Sequence, residues 1–389
     1  MSEYPSNPDS DRRTRYSVST QQEMSTCSRV LIIGAGLTGA ATASLLRREL
    51  KRKIQIVMID RGRGAGGRMS TSRSPGDPKC TVDIGAQYIT QTETYRLKHA
   101  SFYEELLSRN IVRPLTGMIE NERQCKEDYV NYVAPLGTNT VVKYFLDQAD
   151  ADVRYNQIVK RVDVTEENGR TYLKAETDSN DNVDSSKDLL YDAVVIAAPV
   201  PQALQVDGII KQSLDESDEL KTTLEEVNYS SRYALGLYFK PGTKFNVPWV
   251  GKYENSNPCV RWISLDASKR GMESDSVGPS MVVHTSVPFA QEYLKTRRYE
   301  VQPLVMRHLK DIFPDLPEPA DIKCLRWKYS QVLKGVKGQP RALVVKETPS
   351  YMVLLGGDSF TNSNFDGCLS SATTLTEKLV AFLKSNSKH

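Results

Sequence analysis

The stretch RVLIIGAGLTGAATASLLRRELKRKIQIVMID, from Arg29 to Asp60, leaves this chain few ways to fold. VLII is a short apolar run of the kind buried in a parallel sheet. Gly34-Ala35-Gly36-Leu37-Thr38-Gly39 follows it in the pattern Gly-x-Gly-x-x-Gly. AATASLLRREL then has helix-forming composition and apolar spacing, and IQIVMID reads as a second strand ending in Asp60. Strand, glycine turn, helix, strand and acid is the order of a dinucleotide-binding unit. In that unit Gly34 permits the tight turn, Gly36 lets the backbone approach a pyrophosphate, and Gly39 lets helix and strand pack closely. The start of the helix offers N–H groups and a positive dipole end to the phosphates. Asp60 lies 21 residues past Gly39, spaced to accept hydrogen bonds from a ribose diol. The same glycines would also serve a tight turn in another kind of α/β unit.

Two later glycine segments narrow the cofactor. GRGAGGRMST, Gly62 to Thr71, carries Gly66-Gly67-Arg68 just after Asp60. It resembles the second fingerprint of the glutathione-reductase-like flavoproteins, in the branch that holds amine oxidases and hydroxylases. That resemblance implies FAD. The glycines would let the backbone pass close to the cofactor, and the fork of Arg68 would pair with its pyrophosphate. Near the end, VLLGGDSFTNSNFDGCLSSATTLTEKLVAFLKS reads as strand, Gly-Gly-Asp, loop and helix. In such flavoproteins an Asp after the last strand meets the ribityl chain or a phosphate, which here is Asp358. The helix opening at Asp366 and Gly367 would point its N-terminus at the flavin ring near the N1–C2=O edge. Asn364 or Asp366 would alternatively act as the helix cap.

The chain also resembles the renalases, small FAD-dependent oxidoreductases. The matching segments are CTVDIGAQYIT, YSSRYALGLYF, VPWVGKY, SNPCVRW, VVHTSVPF and SNFDGC, spread from Arg29 to the C-terminus. The departures are the polar N-terminal stretch and ETDSNDNVDSSKD, 176–188, which read as surface disorder or a hairpin loop. The resemblance implies an α/β fold: a Rossmann-like FAD-binding domain and a second α+β substrate domain built on an antiparallel sheet. The FAD domain would take 29–96, 137–212 and 341–389; the substrate domain would take 97–136 and 213–340. RYALGLYF and PSMVVHTSV alternate as strands of that sheet, with helices over Tyr95–Ser108 and Tyr299–Ile312 around it. FAD would be noncovalent, with contacts at Thr38, Arg68, Gln87 and Tyr88. On the residues alone, Thr38 also suits a helix start and Tyr88 a packed ring.

On the substrate side, the alternation of VVHTSV would turn His284 into the cavity, the position expected to act on substrate, unless it is a satisfied structural histidine. Arg232, Tyr233 and Trp262 are weaker candidates. No Ser/His/Asp triad is visible, and flavin chemistry needs none. The resemblance implies an oxidase of the 2- and 6-dihydro isomers of NAD(P)H, with O2 as acceptor and H2O2 as product. Two alternatives from the same family are a catecholamine oxidase and a secreted, non-enzymic signalling protein.

Composition excludes other classes. With 389 residues, 39% of them hydrophobic and 25% charged, two domains are more natural than one. A net charge of +3 with scattered Lys and Arg does not point to nucleic acid. The six cysteines lie far apart without a Cys-x-x-Cys pair, and only four histidines are present, so neither a disulfide framework nor a metal site is expected. The first 28 residues are polar and Ser-rich, read as a disordered tail rather than a signal peptide, with Met24 as an alternative start. Val30–Leu46 carries three glycines and a phosphate-loop pattern and would barely span a bilayer, so it is not read as a signal or membrane segment. The expectation is a cytoplasmic enzyme with reduced thiols.

Overall fold

The computed structural model describes residues 27–122, 126–179 and 190–386. The expected N-terminal tail therefore lies outside the described residues up to Cys27, and so does most of the polar stretch 176–188. Its first four residues, expected as a loop, instead complete a strand, Arg170–Ser179, paired antiparallel with Gln157–Glu167.

A six-stranded sheet runs in the order Ala342–Glu347, Met352–Gly356, Ala193–Ile196, Ser28–Ile33, Ile54–Ile59 and Asp152–Arg154. Every pairing is parallel except the edge pair Ala342–Glu347 with Met352–Gly356. Its strands are apolar throughout because both faces are covered. Val30, Ile32, Ile56 and Met58 pack with Leu46, Leu375 and Leu379 of the helices Leu37–Leu50 and Phe365–Asn386. Leu31, Val57, Val194 and Val353 face the other way, onto Val159, Val162 and Leu173 of a four-stranded sheet.

The second six-stranded sheet runs in the order Asp321–Trp327, Arg232–Tyr238, Ser280–Thr285, Val260–Leu265, Gly251–Tyr253 and Ile119–Glu120. It is antiparallel but for the last pair. Alternation sends Leu235, Leu237 and Val283 onto Val301, Val305 and Leu309 of the helix Arg298–Ile312. It sends Ala234, Trp262 and Val282 to the opposite face, onto Val82 and Ile84.

The expected division at 97–136 and 213–340 does not follow the packing. The helix Glu93–Ser108 joins the layer beside the first sheet, where Tyr103 and Leu106 meet Leu37, Ala40, Phe365 and Leu369. Among the described residues of that segment, only Ile119–Glu120 enters the antiparallel sheet. Leu214, Leu224 and Tyr229 likewise pack on the first sheet, so the other five strands of the antiparallel sheet lie between Arg232 and Trp327. Each misplaced piece carries apolar residues that complete the first sheet's layers, which local sequence does not reveal.

Candidate functional site

The glycine loops converge where the first sheet ends. A side chain at Gly39 would bring its Cβ within 2.0 Å of the Gly34 carbonyl oxygen, so this glycine lets the helix close on the strand. A Cβ on Gly36 would meet nothing within 4 Å, so its backbone borders open space. The helix that follows has no side-chain cap and no acid in its first turn, which leaves its positive end to an anion. Thr38 lies buried in that turn. Gly66 N–H donates to the Ala35 carbonyl at 3.3 Å, and a bridge between Gly36 and Gly66 brings the second glycine loop alongside the first. Gly67 follows immediately, its α-carbon side against Gly36. Asp60 ties the loops down: its Oδ2 accepts from Ala35 N–H at 2.6 Å and its Oδ1 from Gly62 N–H at 2.6 Å. Each carboxylate oxygen keeps a lone pair for a diol.

Arg68 and Asp358, each expected against the cofactor, are paired with one another. Nη1 donates to Oδ2 at 2.6 Å and Nη2 to Oδ1 at 2.7 Å. Burial alone would lower the Arg68 pKa, but Asp358 outweighs it and raises it above the ordinary arginine range. Ser363 Oγ adds a bond to Asp358 at 2.7 Å. The second and third glycine segments thus meet through a bidentate pair that the sequence does not display.

Gln87 and Asp366 serve the protein rather than an open site. Gln87 Nε2 donates to the Asp83 and Gly85 carbonyls, and Oε1 accepts from Trp262 Nε1, Ser264 Oγ and Lys269 Nζ at 2.9–3.1 Å. Its amide has no group left for a flavin edge, which corrects the expectation for its side chain. Its backbone neighbour does approach the site: Ala86 N–H donates to the Arg68 carbonyl at 2.8 Å. Asp366, 1% exposed, accepts from Tyr103 OH at 2.8 Å and bonds His99 Nδ1 at 2.7 Å. It is neither free to meet the flavin nor the cap. Asn364 caps the helix, its Oδ1 accepting from Gly367 N–H at 2.7 Å. Gly367 is required there because a Cβ would strike the Asn362 carbonyl at 1.9 Å.

The inner face of the antiparallel sheet holds an aromatic row. Cross-strand register sets Tyr253 opposite Trp262 and Trp262 opposite His284, with Trp327 opposite Arg232 one pair along. Trp262 meets Tyr253 edge-on at 4.7 Å, and Tyr88 bonds Tyr253 through their hydroxyls at 2.6 Å. Burial, then the Tyr253 hydroxyl, pushes the Tyr88 pKa far up, so it stays a neutral phenol. His284 Nε2 and Trp327 Nε1 both reach the Ile84 carbonyl, at 3.1 and 3.2 Å. Nε2 therefore carries the proton and Nδ1 is an acceptor. Burial lowers the His284 pKa to about 4, holding it neutral at physiological pH. Tyr233 points the other way, into the helix-side core. Tyr253 and Trp327 were missed by sequence reading; period-two alternation around His284 and Trp262 was the available signal. Among the described residues, no group of His, Cys, Asp and Glu is arranged to hold a metal ion, and no helix is long and apolar enough to cross a membrane.

Open space at Gly36, an uncapped helix start and a second glycine loop lying against it fit the pyrophosphate of FAD. Residues 32–106 match the NAD(P)-binding Rossmann-like domain, and residues 97–375 match the flavin containing amine oxidoreductases. Renalase of Mus musculus is 40% identical over 356 residues, covering 92% of this chain and 100% of the mouse protein. In solved structures, the fold is similar to a protein described as a protoporphyrinogen oxidase from Exiguobacterium, at TM-score 0.66 and 13% identity, covering 90% of this chain and 98% of that one. It is also similar to a redesigned putrescine oxidase, at TM-score 0.62 and 12% identity, covering 91% and 99% of the two chains. The chain belongs to the flavin containing amine oxidoreductase family, and it is an FAD-dependent oxidoreductase related to renalase.

Proposed function

We propose that this enzyme oxidises dihydronicotinamides whose hydride sits at ring carbon 2 or 6. Dihydro-NAD(P), O2 and a proton give NAD(P)+ and H2O2. FAD, held noncovalently, would supply the hydride acceptor and the route of the two electrons to O2. The 40% identity to mouse renalase over the whole of that protein supports the reading.

The observation that carries it is the chemistry of the aromatic row. Tyr253, His284 and Trp327 are part-exposed and neutral, with Trp262 packed in the core between them, and among the described residues no carboxylate stands at that level of the sheet. A dihydronicotinamide gives up a hydride and has no proton to lose. An amine must also shed a proton, for which a histidine with a pKa of about 4 is a poor base. His284 Nδ1 suits the N–H of a nicotinamide carboxamide, and Trp327 and Tyr253 would cover the ring and exclude water. Gly36 and the start of helix Leu37–Leu50, with Thr38, would hold the pyrophosphate of FAD; Asp60 would hold its ribose. Arg68 and Asp358 would meet it through the edges their mutual pair leaves free. Residence in the cytosol belongs to the same reading, and the five described cysteines are all free thiols.

The test is anaerobic mixing of the FAD-loaded protein with each candidate substrate. The 2- and 6-dihydro isomers should bleach the flavin rapidly; the 4-dihydro form and catecholamines should do so slowly. Admitting air should return the colour with stoichiometric H2O2. His284→Ala should slow bleaching while FAD stays bound. Fast bleaching by amines and none by the isomers would establish an amine oxidase instead.

A further inference from the structure

Two arginines flank the aromatic row with no acidic partner among the described residues. Arg232 shares the inner sheet face with Ala234, which pairs with His284. Its Nη1 donates to the Thr285 carbonyl at 2.9 Å and its Nη2 to Gln331 Oε1 at 3.3 Å. Arg261 sits in a bulge, where the register shifts between Val260 and Trp262. The bulge turns it onto the same side as Trp262, since both cover the Tyr253 ring, with the Arg261 guanidinium 5.7 Å from its centre. Arg261 Nη1 bonds the Glu254 carbonyl at 3.0 Å and Asn255 Oδ1. All four acceptors are neutral.

The carboxylate of Glu254, whose carbonyl Arg261 holds, does not serve them. Glu254 turns its carboxylate to the Ser256 N–H and hydroxyl, with Lys252 at 3.8 Å. Burial and then the positive charge of Arg261 hold the Arg232 pKa below the ordinary arginine range. Two like charges at one flank of a half-buried aromatic surface repel, and an anion placed between them relieves both.

We propose that Arg232 and Arg261 form a subsite for the pyrophosphate of a dinucleotide substrate whose nicotinamide ring lies on the aromatic row. Arg232 stands two residues along its strand from the residue facing His284, about 7 Å at the usual strand rise. That spacing accommodates a ribose between ring and phosphate. Arginine forks match phosphate oxygens in pairs, which neutral acceptors do not exploit. The proposal rests on the dinucleotide reading above and adds the group through which the enzyme would hold it.

The experiment uses FAD-loaded protein and the variants R232Q and R261Q, each checked for bound flavin and unchanged melting. Calorimetry measures binding of NAD+ and of inorganic pyrophosphate. Rapid mixing compares the 6-dihydro dinucleotide with its riboside, which carries no phosphate. Each variant should weaken NAD+ and pyrophosphate binding about tenfold. Each should raise KM for the dinucleotide at nearly constant kcat, and leave the riboside unaffected. R298Q, a cation on the far side of the sheet, should match the wild type. Loss of pyrophosphate binding in R232Q with no bleaching by any isomer would keep the subsite and overturn the substrate reading. Bleaching by the isomers with wild-type NAD+ and pyrophosphate affinities in both variants would overturn the subsite alone. Undetectable binding of both anions to the wild type, or equal losses in R298Q, would also overturn it.

Discussion

Arg68 and Asp358 are 290 positions apart, and their two hydrogen bonds join two of the three glycine segments. Asp358 is only 5% exposed at its side chain, so removing the arginine leaves a buried carboxylate without its counter-charge. Arg68→Ala should therefore weaken FAD retention by about 1.5–3 kcal/mol, read as flavin released on dilution. Arg68→Lys, which keeps the charge but loses the fork, should fall between; retention equal to wild type in both variants would show that the pair plays no part in holding the cofactor. His284 makes a separate prediction about acid. Its folded pKa of about 4 lies below the ordinary value of 6.5, so between these pH values the unfolded chain binds more protons than the folded one. Stability from this group is complete above about pH 6.5 and is lost as the pH falls towards 4, at most about 3 kcal/mol. Urea unfolding across that range should show the loss in the wild type, and a shallower one in His284→Gln.

The junction of strand and helix at residues 34–39 separates packing from binding. Gly39 is pressed on the Gly34 carbonyl, so Gly39→Ala must push the helix off the sheet, a cost of about 1–3 kcal/mol or more. Gly36 has a φ of −83° and open space where a Cβ would go, so Gly36→Ala fits the fold as it stands. The expected outcome is an apoprotein that melts like the wild type but binds FAD at least about tenfold more weakly, the methyl taking the room of the pyrophosphate. A melting temperature lowered as much as in Gly39→Ala would refute that division. These roles were legible in the sequence because glycine spacing within one βαβ unit is local. The C-terminal helix was legible as an element, but its cap was undecided between Asn364 and Asp366. The choice depends on His99 and Tyr103, more than 260 residues away, which draw the Asp366 carboxylate out of the capping position.

The two sheets are joined by buried charge, and no local pattern announced it. Asp83 Oδ1 accepts from Thr71 Oγ1 and from Thr138 N–H, at 2.7 and 2.8 Å, at the entrance to the helix Asn139–Ala149 beside the first sheet. Asp83 N–H donates to Asp266 Oδ2 at 3.1 Å, on the helix Asp266–Arg270 that follows a strand of the second sheet. Lys269 Nζ reaches Asp266 Oδ1 at 2.8 Å and Gln87 Oε1 at 2.9 Å, while Arg270 Nη2 reaches Asp266 Oδ2 at 2.6 Å. Two carboxylates and two cations balance in a region closed to water: the Lys269 and Asp266 side chains are 0% exposed. Burial, then Asp266, raises the Asp83 pKa; burial would raise that of Asp266 too, but Lys269 and Arg270 outweigh it and lower it. Sequence reading singled out Gln87 for the flavin, whereas its amide belongs to this joint, because the partners that satisfy it arrive from 175 to 182 residues downstream. The joint also fixes the distance between the glycine loops and the aromatic row: Trp262 of that row donates to Gln87, and Gly85 and Ala86 lie on the Arg68 carbonyl. Lys269→Met keeps much of the side-chain length and removes the charge, leaving two buried carboxylates with only Arg270 between them. The cost should be about 3–5 kcal/mol, the range for breaking a buried pair. Because the joint holds both walls of the site, FAD should also be lost at denaturant concentrations below the main unfolding transition, seen as flavin fluorescence rising before tryptophan emission shifts. The double variant Lys269→Met with Asp266→Asn removes one charge of each sign and should recover part of the stability. Flavin release and unfolding that stay coincident in Lys269→Met would mean the joint stabilises the chain without setting the geometry of the site.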